Sequence, residues 1–193
     1  QILDGVGGAR ALAGAPSGDG VATASASGAN GGFIRASSAD TAVTATPSVS
    51  THVREKASLS ATDIAIRSTA KGNVAGNSTN AGGGLVVSVG DADSTVNLTL
   101  TSDLDIEAMS VLRALGSIEI LSTTSATAKA EATSVGVGFV DAGDADVATT
   151  VSYDATIDLG SQTILQAGTD LLVESRSDVD AEAKAEVDSN GFT

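Results

Sequence analysis

The sequence predicts an all-β protein, a repetitive and flattened parallel β-solenoid with a period of about 53 residues. Three observations point there. Short markers recur at one spacing, apolar and polar residues alternate along each copy, and the side chains are too small for an ordinary core. A string of small antiparallel β-sandwich modules is the alternative, since it has the same short strands and turn signals.

The markers come first, because a missed repeat mis-assigns the whole fold. Glycine precedes a large apolar residue at Gly32-Phe33, Gly84-Leu85, Gly138-Phe139 and Gly191-Phe192. Ala-Asp recurs at Ala39-Asp40, Ala92-Asp93 and Ala145-Asp146, and an apolar alternation at Ile64/Ile66, Ile118/Ile120 and Leu171/Val173. All three markers share that one step, to within a single position. Copies are therefore expected over 33–84, 85–138 and 139–191, after the end of a partial copy at 21–32 and before the start of another at 192–193. Residues 1–20 fit the period poorly and read as an irregular, glycine-rich segment, with Gly5, Gly7, Gly8, Gly14 and Pro16 as breakers. A chain that opens and closes inside copies reads as a window on a longer array.

Within a copy the leading element is a strand. Val179, Ala181, Ala183, Ala185 and Val187 alternate with Asp180, Glu182, Lys184 and Glu186, and Ala126 to Ala132 repeat the pattern one copy earlier. Propensity favours a helix for Ala, Glu and Lys. A helix would spread these apolar positions around its circumference, whereas a strand puts them all on one face. The second strand follows Ala-Asp, with Val43, Ala45, Pro47 and Val49, then Val96, Leu98 and Leu100, then Thr149, Val151, Tyr153 and Ala155 on its inner face. Thr44, Asn97 and Thr150, with Thr46, Thr99 and Ser152, form its polar outer face. Pro47 removes a ladder donor and marks a bulge or an edge. A short third strand is expected at Val111-Leu112-Arg113-Ala114 and Ile164-Leu165-Gln166-Ala167. Turns are expected at Leu159-Gly160-Ser161, at 167–170 and at Ser189-Asn190-Gly191.

Composition narrows the function. The 193 residues include 33 Ala, 24 Ser, 21 Thr and 22 Gly, and the aromatic residues are Phe33, Phe139, Phe192 and Tyr153. An aromatic-lined substrate pocket lacks its material. A net charge of −14 opposes both nucleic acid and anionic membrane surfaces. No apolar run reaches the roughly 18–20 residues of a spanning helix, so no membrane insertion is expected. Residues 1–10 lack a signal peptide's pattern, so any leader was removed or lies outside this chain. The absence of cysteine removes disulfides and thiolate metal sites.

One copy has too little apolar volume to bury its own face, but stacked copies can do so. Parallel stacking would set Lys129 beside Glu182 and Glu131 beside Lys184. Open coil ends would expose unpaired backbone groups and invite head-to-tail self-association.

The pattern I-L-Q-A-G-T-D-L-L-V-E-S (164–175), then D-V-D-A-E-A-K-A-E-V-D (178–188), then Gly-Phe, resembles the repeats of giant bacterial surface proteins. It is similar to filamentous adhesins of the leukotoxin-like and haemagglutinin-like kind, over about residues 21–193. The resemblance implies β-solenoid stalks and an extracellular or cell-surface protein used in adhesion or as a structural fibre. It implies no catalytic or binding residue.

The remaining chemistry is sparse. His52 is the single histidine and reads as a solvated surface residue. Carboxylates are abundant, but no nucleophile elbow or sugar cleft accompanies them, so no enzyme is expected. Gly5-Val6-Gly7-Gly8-Ala9-Arg10 lacks the strand, helix and downstream acid of a dinucleotide loop. The acidic turns are the best ligand candidate. Gly90-Asp91-Ala92-Asp93 recurs as Gly143-Asp144-Ala145-Asp146, with Asp141 nearby, and Asp-rich turns can supply calcium's oxygen ligands. Asp91, Asp93, Asp144 and Asp146 are the candidate calcium ligands; an Asp-capped turn is the plainer reading. The expected function is a stiff acidic rod in a secreted fibre or adhesin stalk. The alternative is a calcium-dependent surface-layer or binding module. No receptor is legible.

Overall fold

The computed structural model describes residues 5–15 and 20–191, with side chains from residue 21 onward. The expected opening of a further copy at Phe192-Thr193 lies outside them. Ten strands and no helix make up the described chain: β1 (Gly5–Ala15), β2 (Gly20–Ala45), β3 (Ser48–Val53), β4 (Ser58–Ala61), β5 (Ile64–Ile106), β6 (Val111–Ala114), β7 (Ile118–Gly138), β8 (Val140–Leu159), β9 (Ile164–Gln166) and β10 (Leu171–Gly191). Seven belong to one sheet, ordered β1-β2-β5-β7-β10, with β3 and β8 also paired to β5; β4, β6 and β9 form a second. Every ladder among the described residues is parallel, so the antiparallel sandwich modules are excluded.

Register is set by what each strand must bury. The first half of β5 lies on β7, with Ile64 opposite Ile118. Its second half lies on β8, with Val87 opposite Val140. That second offset also joins Ser58 to Val111, Val111 to Ile164, and Ile118 to Leu171, and the first is longer by a single position. A slip by one residue would turn every inward side chain to solvent.

The 43-residue strand β5 does not run straight. Residues equally far from Leu85 meet face to face: Ser102 Oγ lies 3.0 Å from Ser68 Oγ. A Cβ added to Gly72 would come within 2.6 Å of Leu98 Cδ1. The chain folds over around Gly84-Leu85-Val86, and the two legs pack through side chains while their backbones bond to neighbouring strands. Alternation explains the buried set. Val96, Leu98 and Leu100 from one leg meet Ala70 and Val74 from the other and Ala126, Ala128 and Ala130 of the neighbouring β7, in one core cluster. Alanine and glycine on one leg leave room for leucine on the other. Nearer the short sheet, Ile64, Leu104, Ile106, Leu112, Ile118 and Ile120 form a second cluster.

Several expectations are corrected. Residues 5–15, expected to be irregular, form β1, which pairs with β2 from Gly5 opposite Arg35 to Ala15 opposite Ala45. An edge strand's row of free N–H and C=O groups supplies partners that outweigh glycine's poor strand preference. The Ser189-Asn190-Gly191 turn is instead the end of β10, whose backbone still pairs with residues 136–138 of β7. Pro47 falls in the break between β2 and β3, buried, its carbonyl accepting from Thr101 N at 3.1 Å. Of the two expected charge pairs, Lys129 Nζ reaches Glu182 at 3.0 Å. Lys184 stands in register with Glu131 but pairs along its own strand with Glu186, at 3.2 Å.

Candidate functional site

The predicted acidic residues gather on the outer face of β2, β5 and β8. Strand alternation turns Ala39 and Ala92 inward, both fully buried, and sends their Asp neighbours out. Register then stacks Asp40, Asp93 and Asp146 in one column, and Ser38, Asp91 and Asp144 in the next. Neighbouring strands sit about 4.7–4.9 Å apart, so like charges stand directly opposite one another. No ion pair among the described residues reaches these carboxylates. Partial burial pushes Asp91 above the ordinary carboxylate value, reinforced by the charges of Asp144, Asp40 and Asp146. Asp93 is raised for the same reasons, burial first and then Asp91, Asp40, Asp146 and Asp144. A shallow groove lined by Asp93, Thr95, Asp146, Val147 and Ala148 runs along the ladder. The arrangement concentrates negative potential and draws counter-ions.

The structure brings Asp91 beside Asp144 and Asp93 beside Asp146, but it does not converge three of their oxygens on one point. Among the described residues, the trio whose ligating atoms all lie within 4.8 Å of one another is His52, Asp105 and Glu107. His52, in β3, is the register partner of Asp105, in β5. The imidazole Nδ1 lies 3.6 Å from Asp105 Oδ2. Glu107 follows β5, and its N–H donates to the Val53 carbonyl at 2.9 Å, which fixes it beside the histidine. Sequence reasoning left His52 as a lone surface residue. The signal was available, because His52 and Asp105 lie 53 residues apart, the same spacing as the Ala-Asp marker.

Asp141 does not join the outward carboxylates. Its odd position turns it toward the opposite face from Asp144 and Asp146. It stands in one inward column with Arg35 and Ser88. Arg35 is fully buried, and donates to Ser88 Oγ at 3.0 Å, Ser37 Oγ at 2.6 Å and Asn80 Oδ1 at 2.8 Å. Burial pulls its guanidinium below the ordinary value, and the Asp141 charge opposes that pull. Room for the guanidinium comes from Gly82, where a Cβ would lie 2.7 Å from Arg35 Cζ. The two Asp141 carboxylate oxygens and Arg35 Nε are buried without a hydrogen-bond partner. Arg35 is thus held by Ser88, Ser37 and Asn80, and Asp141 acts on it only through its charge.

Comparison with protein-family models, with curated proteins and with solved structures finds no match for the chain.

Proposed function

We propose that the chain is a segment of a β-solenoid in which each repeat is one coil, acting as a stiff acidic rod in a secreted bacterial fibre or adhesin stalk. The observation that carries this reading is the offset of 53 residues, 52 or 54 in places, that recurs in every ladder from β2 onward, whereas β1 lies on β2 at an offset of 30. Each coil then adds one strand to each sheet, so length grows by stacking while cross-section stays fixed. The 20 residues of β8 at about 3.3 Å each span roughly 66 Å, which makes the cross-section a broad, thin ribbon. Resemblance to filamentous-adhesin repeats supports a place outside the cell or on its surface, and no catalytic role. Self-association is part of the proposal: β10 is an exposed edge strand whose inward-facing Val179 and Val187, in register with buried Ala126 and Ser134, are still 38% and 47% accessible.

Electron microscopy and fibre diffraction of the concentrated chain test this. The expected result is ribbons roughly 66 Å wide with a strong axial spacing of about 4.8 Å. Particles that stay single and compact at high concentration would overturn the assembly reading, and a missing axial spacing would overturn the solenoid.

The in-register carboxylates favour a second reading, a calcium-dependent surface-layer or binding module that uses Asp91, Asp93, Asp144 and Asp146. Assembly that requires calcium in the same experiment would select it over the first.

A further inference from the structure

We propose that His52, Asp105 and Glu107 form a binding site for a divalent transition-metal ion of zinc's class. The trio stands apart from the acidic ladder and does not depend on the chain being a fibre segment.

Distance is the first argument. Nδ1 of His52 and Oδ2 of Asp105 are 3.6 Å apart. A charge-assisted N–H···O bond closes to about 2.7–2.9 Å, so this pair is too far apart for a good one. Two ligands at about 2.0–2.1 Å from a tetrahedral ion lie roughly 3.4 Å from each other, which is close to what is seen. With Glu107, all three ligating atoms fall within 4.8 Å of one another.

The second argument is how the other atoms of these side chains are occupied. His52 Nε2 lies 2.6 Å from Ser50 Oγ, two residues back on the same face of β3. With Nε2–H donating to Ser50, the ring presents a bare lone pair at Nδ1 toward two carboxylates. A metal-ligating histidine is held in this way, its far nitrogen bonded to an outer partner. Glu107 Oε2 accepts the Glu55 backbone N–H at 2.7 Å, which orients the carboxylate, and Oε1 has no hydrogen bond among the described residues. Backbone ladders hold both ends of the trio, from His52 opposite Asp105 to the Glu107 N–H on Val53.

The donor set fixes the class of ion. Calcium and magnesium take oxygen ligands, six or more for calcium. One imidazole nitrogen with two carboxylates suits zinc and its neighbours among the borderline metals. Three protein ligands leave a coordination position open, and the His52 side chain is 45% accessible, so the ion can exchange.

Zinc chloride titrated into the whole chain, followed by calorimetry and by the ring nitrogens of the single histidine in NMR, tests the site. Expected are one chelator-reversible zinc per chain and a zinc-dependent shift at His52 Nδ1. His52→Gln should abolish uptake, and Ser50→Ala should weaken it by about tenfold. Asp91→Asn and Asp144→Asn should leave it unchanged. All four positions are on the outer face, and circular dichroism checks that each variant keeps its strands. No uptake by the unaltered chain, or uptake indifferent to His52→Gln, would overturn the site. Calcium bound in preference to zinc with the same dependence on His52 would overturn the metal class.

Discussion

Leu98 fills the space that Gly72 leaves empty, and this exchange of large for small is how so thin a core packs. Burying a leucine contributes about 1.5–3 kcal/mol, and Leu98 is 1% accessible. A methyl at residue 72 would lie 2.6 Å from its Cδ1 and would drive the leucine off its rotamer. Gly72→Ala should therefore cost about 1–3 kcal/mol by overpacking. Leu98→Ala alone should cost about 2–5 kcal/mol through the cavity it leaves. The pair should not add: in the Leu98→Ala background the new methyl has room, and Gly72→Ala should become neutral or stabilising. Urea unfolding of the four chains measures the cycle. Additive losses would mean that the two legs of β5 do not meet there.

Strand against strand, the acidic ladder is a cost the sheet carries at neutral pH. Asp91 and Asp93 are held above the ordinary value of 3.8 by burial first and then by neighbouring carboxylates, Asp144, Asp40 and Asp146 for Asp91, with Asp91 added for Asp93. The folded chain thus gains protons at a pH where the unfolded chain is still ionised, so protonation favours the fold. The penalty is fully present above the raised values and is relieved as pH falls through them toward 3.8. Asp63 and Glu119 pull the other way, because Ser117 and Arg67 hold them below their ordinary values of 3.8 and 4.5. Their contribution is lost as pH falls through those lowered values. Asp93→Asn separates the two effects: it should gain about 0.2–1 kcal/mol at pH 7. The gain over the unaltered chain should shrink as the pH approaches 4, in thermal melts at low salt. A gain independent of pH would show that the charge of Asp93 is not the cause. The ladder itself was legible, since the alternation around Ala-Asp is local and a parallel register lines up equal spacings. Lys129 meeting Glu182 followed in the same way. The fold-over at Gly84-Leu85-Val86 was not, because nothing local tells a strand that bends from one that runs on. Nor was the Arg35 column, since an arginine among Ser and Gly reads as surface until the opposite leg covers it. The corner trio needed His52 and Asp105 to be read as neighbours across a strand gap.

At the scale of the molecule, the ladders from β3 onward join residues 53 or 54 positions apart, which fixes where the chain can be cut without losing register. Val111 pairs with Ile164 and Leu112 with Leu165, so residues 112–164 can be removed and Val111 joined to Leu165 without changing the register of the strands downstream. In the shortened chain β10 would lie directly on the first half of β5, where β7 lay, because Ile64, Ile118 and Leu171 share one column. Val179 would then stand opposite Gly72, in the place of Ala126. Each layer contributes its own stability and that of its contacts with neighbours. Removing one whole layer should therefore keep a cooperative, strand-rich fold and lower the urea m-value by about a quarter, in proportion to the surface lost. A shorter deletion of residues 112–155 removes 44 residues and so shifts everything downstream by nine positions, an odd number that turns inward residues outward, and it should yield a chain without a cooperative transition. Far-ultraviolet circular dichroism with urea titration distinguishes the two. Equal tolerance of both deletions would mean that neighbouring layers are not held in step by their side chains, and the constant offset between strands would then have no energetic role.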